Sequence, residues 1–383
     1  MKRLLHISMI APSRAAGGGG LGIYQSCRAV QAAGEADYCG PLPEESCREL
    51  AGGYRRLFPL SYQSGLLGKL SALLHLAPSG AYPSFAKAKR QLAKEHYDVA
   101  YIDSSRQGYA ARFAKRHGMH VVIRMHNVER DYYDKEYALA PSLFMRLKCL
   151  MCRYQEKRSL RFADTVIFIT EEDRARAEAL YPRELCGKRI VVMPICLEPP
   201  AKLPTPCPVE GTYALITGAL WFGPNVEGIL WFLDKVWPSM AEALPTLSLV
   251  IAGRDPSRAL QKRLAQTTRV TLVDSPPDMA PYFRHAALYL APILDGNGMK
   301  VKVAEALSYG LPVIGTPHVF IGYRDLQGCS ATATTPAEFT AKAAAWLQKG
   351  HTDAEKEEAY AVFCRHYSME SACRAVREVI ETI

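Results

Sequence analysis

Lys302 and Glu305 set a cation and a carboxylate three residues apart in the segment Asp295-Gly-Asn-Gly-Met-Lys-Val-Lys-Val-Ala-Glu-Ala-Leu-Ser-Tyr-Gly-Leu-Pro-Val-Ile-Gly-Thr316. On a helix that spacing projects both groups from one face. Gly296 and Gly298 permit close approach of the backbone to a ligand, and they leave the first N–H groups of a following helix available to an anion. Gly310 closes such a helix and Pro312 prevents its continuation. A phosphate-bearing ligand with hydroxyls to donate fits this end. Taken alone, Lys302 and Glu305 read first as an ordinary intrahelical ion pair. The glycine turn, the two charges and the Gly-x-Pro stop converge on one short segment, and that convergence favours a ligand site.

Two other loops carry related signals. Thr217-Gly-Ala-Leu-Trp-Phe-Gly-Pro-Asn225 follows an apolar run, and Gly253-Arg-Asp-Pro256 follows another. Gly218, Arg254 and Lys302, brought to one edge with a helix N-terminus, would form a diphosphate site. Each also has a plain structural reading: a turn glycine, and a surface or Asp255-paired arginine. Cys149 and Cys152 form a lone Cys-x-x-Cys in a helical stretch, without the second pair or histidines of a metal site.

The elements that must position these residues alternate between strand and helix. Apolar runs at Arg3–Ala11, 99–103, 120–125, 165–170 and 190–193 predict strands, with helices at 21–33, 84–96, 109–117 and 131–161. A glycine loop at 17–20 precedes the first helix. The proline-rich stretch 194–208 is the best linker. Beyond it the alternation restarts, with strands at 213–217, 247–252, 270–273, 287–291 and 312–315. Two helices separated at Tyr367-Ser368 end the chain. Parallel sheets covered on both faces follow from this order. The expected domains are 1–195 and 196–366, with a terminal helix at about 367–383 packing back on the first. Their strand ends would face a central cleft.

At 383 residues, two cores are expected. The formal charge of +9 is uneven: residues 1–195 hold about +11 and the remainder about −2. A basic first half suits an anionic partner, with a solvated basic surface as the plain alternative. No nucleic-acid motif accompanies the charge, so nucleic acid is not an expected partner. Scattered cysteines and the lack of an apolar spanning run or leader point to a cytoplasmic protein. Peripheral association at the inner face of the membrane stays open.

The residues quoted for the three loops, with His126-Asn-Val-Glu129 and Ala163-Asp-Thr-Val-Ile-Phe-Ile-Thr170 followed by Asp173, resemble the GT-B glycosyltransferases of the family 4-like group (glycosyl transferases group 1). These build bacterial cell-surface polysaccharides. The resemblance covers most of residues 120–315. It implies an α/β GT-B fold of two Rossmann-like domains facing a central cleft. It also implies a retaining, metal-independent transferase whose substrate, in place of any cofactor, is a nucleotide-diphosphate sugar, with a glycan or lipid-linked saccharide as acceptor. By matching position, Glu305 holds the ribose hydroxyls and Lys302 neutralises the diphosphate, with Arg254 as a second cation beside Gly218. The backbone at Asn297, Gly298 and Met299 faces the donor sugar. His126 reaches the donor sugar and acceptor, and Gly18, Gly19 and Gly20 form the acceptor-side loop.

Two departures stand out. Asn297 occupies the place of the family's first acid, so it can hydrogen-bond a hydroxyl but cannot act as a carboxylate. The basic pair that usually follows the first strand of the second domain is missing from 219–225. Rival readings are a nucleotide-sugar 2-epimerase on the same architecture and a non-catalytic sugar-nucleotide-binding protein.

Overall fold

A computed structural model describes residues 2–13, 18–43, 45–61, 65–77, 82–201, 206–207, 209–295, 298–350 and 353–383. The chain forms two compact units: Met1–Cys196 with Met369–Ile383, and Leu197–Ser368.

The first unit holds seven strands: β1 (Arg3–Ile7), β2 (Glu35–Gly40), β3 (Arg56–Pro59), β4 (Val99–Asp103), β5 (His120–Arg124), β6 (Thr165–Phe168) and β7 (Arg189–Val192). All pair in parallel in the order β3-β2-β1-β4-β5-β6-β7. Alternate residues feed two cores, one on each face. Leu5, Ile102 and Ile123 point to one, while Leu4, Tyr101 and Val122 point to the other. The terminal helix Met369–Glu381 presents Met369, Ala372, Val376, Val379 and Ile380 at helical spacing and buries them in the second of these cores beside Cys27 and Val30.

The second unit holds β8 (Thr212–Ala219), β9 (Leu247–Arg254), β10 (Val270–Asp274), β11 (Leu288–Ala291), β12 (Val313–Gly315) and β13 (Ser330–Thr332). Their order is β10-β9-β8-β11-β12-β13, again parallel. In each unit the strand order reverses direction once, between β1 and β4 and between β8 and β11. Ligands bind such sheets outside the strand C-termini at these reversals.

Several elements differ from the sequence reading. The segment read as one helix over 131–161 is two, Glu129–Leu139 and Leu143–Phe162. Pro141 breaks the run, and the Ser142 hydroxyl caps the second helix by accepting from the Met145 N–H at 3.1 Å. Strands β2 and β3 carried no apolar run. Asp37 is buried in β2 because Arg55 donates two hydrogen bonds to it, at 2.9 and 2.6 Å, and the Tyr97 hydroxyl a third. The helix after β8 contains a π turn at Phe232–Val236, just before Pro238, whose ring nitrogen has no hydrogen to donate.

Candidate functional site

In the second unit the helix Val301–Ser308 follows β11 at the β8/β11 reversal. It begins three residues beyond Gly298, whose φ of 75° turns the chain into it. Its C-terminus is closed by Gly310 at φ 72°, with Leu311 N–H on Ala306 O and Gly310 N–H on Leu307 O. The N-terminus is partly occupied. The Ala304 N–H donates to the Tyr323 hydroxyl at 2.9 Å, and that hydroxyl donates to Lys300 O at 2.8 Å. This removes one of the amide donors that the sequence reading left open to an anion.

Lys302 and Glu305 do not pair with each other. Lys302 Nζ donates to Thr217 O at 3.0 Å and to Asn225 Oδ1 at 2.9 Å, which seats the amine against the end of β8. The stretch 219–225, which carries no cation of its own, thus has the Lys302 amine against its last residue. The Glu305 carboxylate has no hydrogen-bond partner among the described residues, although its side chain is half-buried. Burial pushes the Lys302 amine down to about 8, against the opposing pull of Glu305. Burial likewise raises Glu305 to about 7, with Lys302 opposing. An ordinary surface ion pair would shift both groups the other way, so the intrahelical-pair reading fails on geometry and on charge.

Gly218 provides the room for this arrangement. A Cβ there would lie 2.9 Å from Asn225 Nδ2 and 3.1 Å from Lys302 Nζ. Gly253, its register partner in β9, is more constrained still, since a Cβ would meet Gly218 O at 1.8 Å. Arg254 ends β9 in register with Ala219 and is exposed, and its carbonyl accepts from the Leu220 N–H at 2.8 Å. The side chain of Met299 packs on the core of this unit, which leaves its backbone at the turn. Asn297 and its neighbour Gly296 lie outside the described residues. Trp221 is 63% exposed in the loop after β8.

The first unit builds a polar network at the β1/β4 reversal. Asp103 ends β4 fully buried. It accepts from His6 Nε2 at 2.6 Å, from Ser26 Oγ at 2.8 Å and from His126 Nε2 at 3.0 Å. Burial alone would raise this carboxyl, but the His126 and His6 hydrogen bonds outweigh it and hold the group well below the usual carboxylate range. Arg124, also fully buried, donates to Ser26 Oγ and Gln25 Oε1, both at 2.8 Å, so its charge offsets that of Asp103 through Ser26.

His126 therefore spends Nε2 inside the protein. Its Nδ1 is buried without a partner among the described residues, and the ring lies over Gly22, where a Cβ would come within 2.8 Å. In this arrangement neither ring nitrogen is open to solvent. Gly18, Gly19 and Gly20 form the first turn of the helix Gly18–Ala33, so the expected loop is already helical there; Gly17 lies outside the described residues. Hydrogen bonding to the following turn outweighs glycine's cost of roughly 1 kcal/mol per residue.

Sequence reasoning missed His6, Ser26, Asp103, Arg124, Asn225 and Tyr323. Two of these had a readable signal. A charged residue closes the apolar strand Val-Ala-Tyr-Ile-Asp103, and an arginine sits inside Val-Val-Ile-Arg-Met125. Cys149 and Cys152 are buried in the helix Leu143–Phe162, with the Cys149 thiol on Tyr133 O at 3.2 Å.

The family described as "Glycosyl transferases group 1" matches residues 211–349, and "Glycosyl transferase 4-like domain" matches residues 17–196. The chain belongs to the group 1 glycosyltransferases. As in this family, its two doubly wound sheets are the Rossmann-like domains of the GT-B fold. It is 24% identical over 213 residues to a 44.6 kDa protein in the cps region of Klebsiella pneumoniae. That match spans about half of each chain, 51% in both. Anabaena HepE, crystallised with UDP-glucose, is similar over 100% of both chains with a TM-score of 0.65 and 14% identity. WaaG, a glycosyltransferase involved in lipopolysaccharide biosynthesis, matches over 98% of this chain and 99% of its own, with a TM-score of 0.64 and 14% identity. A glycosyltransferase from Rickettsia africae reaches 0.66 at 13% identity, over 100% of this chain and 98% of that one. At such identities the structural likeness carries the fold alone. Among the described residues no helix is long and apolar enough to cross a membrane.

Proposed function

We propose that this group 1 glycosyltransferase moves a hexose-type sugar from a nucleotide-diphosphate donor to a glycan or lipid-linked saccharide acceptor, with retention at the anomeric carbon, in cell-surface polysaccharide synthesis. The observation that carries this reading is the half-buried, mutually unpaired Lys302 and Glu305 at the end of β8. A half-buried amine and a half-buried carboxylate that do not pair with each other, and whose charged forms burial disfavours, gain from a ligand that supplies the missing partners. A nucleoside diphosphate presents the matching groups, with anionic oxygens for Lys302 and ribose hydroxyls as donors to Glu305.

Transfer places negative charge on the departing diphosphate. The Lys302 ammonium, Arg254 and the first-turn N–H groups of the Val301–Ser308 helix stabilise that charge without a metal. Retention and the positions of Asn297 and His126 beside the donor sugar rest on the family resemblance. His126 reaches a substrate through Nδ1 once its ring or the turn at Gly22 shifts. Gly18, Gly19 and Gly20, at the first turn of their helix, offer backbone N–H groups on the acceptor side. HepE was crystallised with UDP-glucose, which supports UDP-sugars as the first donors to test.

A thermal-shift panel of nucleoside diphosphates and their sugars tests this reading. One base family should stabilise the protein by mass action, and Lys302→Ala should weaken that ligand by roughly 10- to 100-fold, the worth of a charge-assisted hydrogen bond. Unchanged binding in Lys302→Ala would remove the diphosphate assignment. Donor turnover to a free epimerised sugar nucleotide without acceptor would instead mark an epimerase.

A further inference from the structure

A cavity lies in the second unit at the far end of the helix that carries Lys302 and Glu305. Its volume is about 360 Å³, and its walls include Pro200, Arg284, Ser308, Tyr309, Lys356 and Tyr360. Ser308 is the last residue of the helix Val301–Ser308, and Gly310 follows two residues on. A Cβ at Gly310 would lie 2.9 Å from Lys356 O, so only glycine lets the helix Asp353–His366 come this close. That approach brings Lys356 and Tyr360 round as one wall of the cavity.

Arg284 supplies the polar chemistry. It lies in the last turn of the short helix Ala280–His285 and is half-buried. Its guanidinium sits 5.6 Å from the centre of the Tyr309 ring, and one Nη donates to Ala201 O. Its Nε is buried without a hydrogen-bond partner among the described residues. A buried donor left unmet is costly, most of all on a charged group, and an acceptor entering the cavity would remove that cost. Nε–H and the Nη–H beside it form a planar fork that matches the two oxygens of a carboxylate. Lys356 adds a second positive charge to the walls and Glu357 a single negative one. One positive charge is left in excess, which suits a carboxylate better than a doubly charged phosphate.

The other walls are flat and apolar. Tyr309 stacks on Phe283 with centroids 5.1 Å apart, and Phe283 stacks on Tyr289 at 5.7 Å, a column that reaches into the core of this unit. Tyr360 stacks on Phe363 at 6.0 Å. Rings held this way present apolar area to a ligand without having to be ordered by it. A planar anionic head on a flat apolar body fits both kinds of wall.

We propose that this cavity binds a small aromatic carboxylate, with its carboxylate on the Arg284 fork beside Lys356 and its ring against Tyr360 and Pro200. The site is distinct from the nucleotide site at Lys302 and needs nothing of the donor reading.

Calorimetric titration of the full chain with benzoate and with the wider naphthoate tests the proposal. At least one acid should bind at a single site, and neutral benzamide and inorganic phosphate should bind about tenfold more weakly or not at all. Arg284→Gln should weaken the bound acid by roughly 10- to 100-fold, the worth of a charge-assisted hydrogen bond. Lys356→Gln, at an exposed position, should weaken it about threefold and gives a reading even if the arginine variant fails to fold. Lys302→Ala should leave it unchanged. Binding of neither acid up to millimolar concentration would overturn the proposal, as would equal binding of benzamide or phosphate. Undiminished binding by the Arg284 and Lys356 variants would also overturn it. So would loss of binding in Lys302→Ala, which would put the acids at the nucleotide site.

Discussion

Lys302 and Glu305 are each destabilised by burial, and the sign of each shift sets a pH window. Glu305, raised to about 7, is mostly ionised above that pH, and the ionised form, with both oxygens free to accept, is the stronger acceptor for two ribose hydroxyls. Lys302, lowered to about 8, is cationic only below that pH. For the bare protein both shifts oppose folding. The Glu305 penalty is relieved as pH falls below about 7, and the Lys302 penalty as pH rises above about 8. For the ligand the order reverses, because both charges are wanted. Affinity for a nucleoside diphosphate should therefore peak between the two values and fall by up to about tenfold per pH unit on either side. Calorimetric titration across that range would show the bell, and a flat profile would disprove the pairing of these charges with the ligand. His126 illustrates a different constraint. Its ring is fixed by a carboxylate that also holds His6 and Ser26, so its orientation belongs to the network rather than to its own position in the chain.

The donor site depends on how closely strand ends approach one another. β8 and β9 run in register to Gly218 and Gly253, where the backbones nearly touch. Gly253→Ala would place a methyl 1.8 Å from Gly218 O, so the strand ends must part and the amine of Lys302 loses its seat on Thr217 O. The expected cost is about 1–3 kcal/mol of stability, as for other overpacked sites, together with loss of nucleotide binding. Chemical denaturation and a nucleotide titration would measure the two effects. Full binding by this variant would mean that the β8 end does not shape the site. At the other end of the same motif, Gly310 was legible from sequence because its Schellman closure uses only local bonds.

At the scale of the molecule, the chain leaves the first unit after Cys196 and returns to it at Met369. The returning helix completes a core: Met369, Val376, Val379 and Ile380 are all nearly fully buried, and Lys2 Nζ donates to Ile380 O at 2.8 Å. Each such side chain contributes roughly 1.5–3 kcal/mol by burial, so together they rival the whole stability of an ordinary domain, about 5–15 kcal/mol. Ending the chain at Ser368 should unfold the first unit while the second still binds nucleotide. Limited proteolysis with and without nucleotide would show this as rapid loss of 1–196 beside a protected second unit, and a protease-resistant first unit would refute it.

The alternation of strands and helices, the helix with its Gly310-Leu-Pro312 stop, and the face shared by Lys302 and Glu305 were determined by sequence alone. They depend on periodicity and local backbone chemistry, which a chain carries wherever it folds. Strand β2 was invisible because its burial relies on distant partners, as Asp37 relies on Arg55 and Tyr97, and β3 and β13 because they are short, partly exposed edge strands. The ion-pair reading of Lys302 and Glu305 was equally compatible with the sequence. Only the tertiary structure drew Lys302 to Thr217 and Asn225, and left Glu305 without a partner among the described residues, by packing the helix after β11 against the end of β8. The His6–Asp103–His126 network belongs to the same class, since three strands far apart in the chain must lie side by side before one carboxylate can hold two histidines.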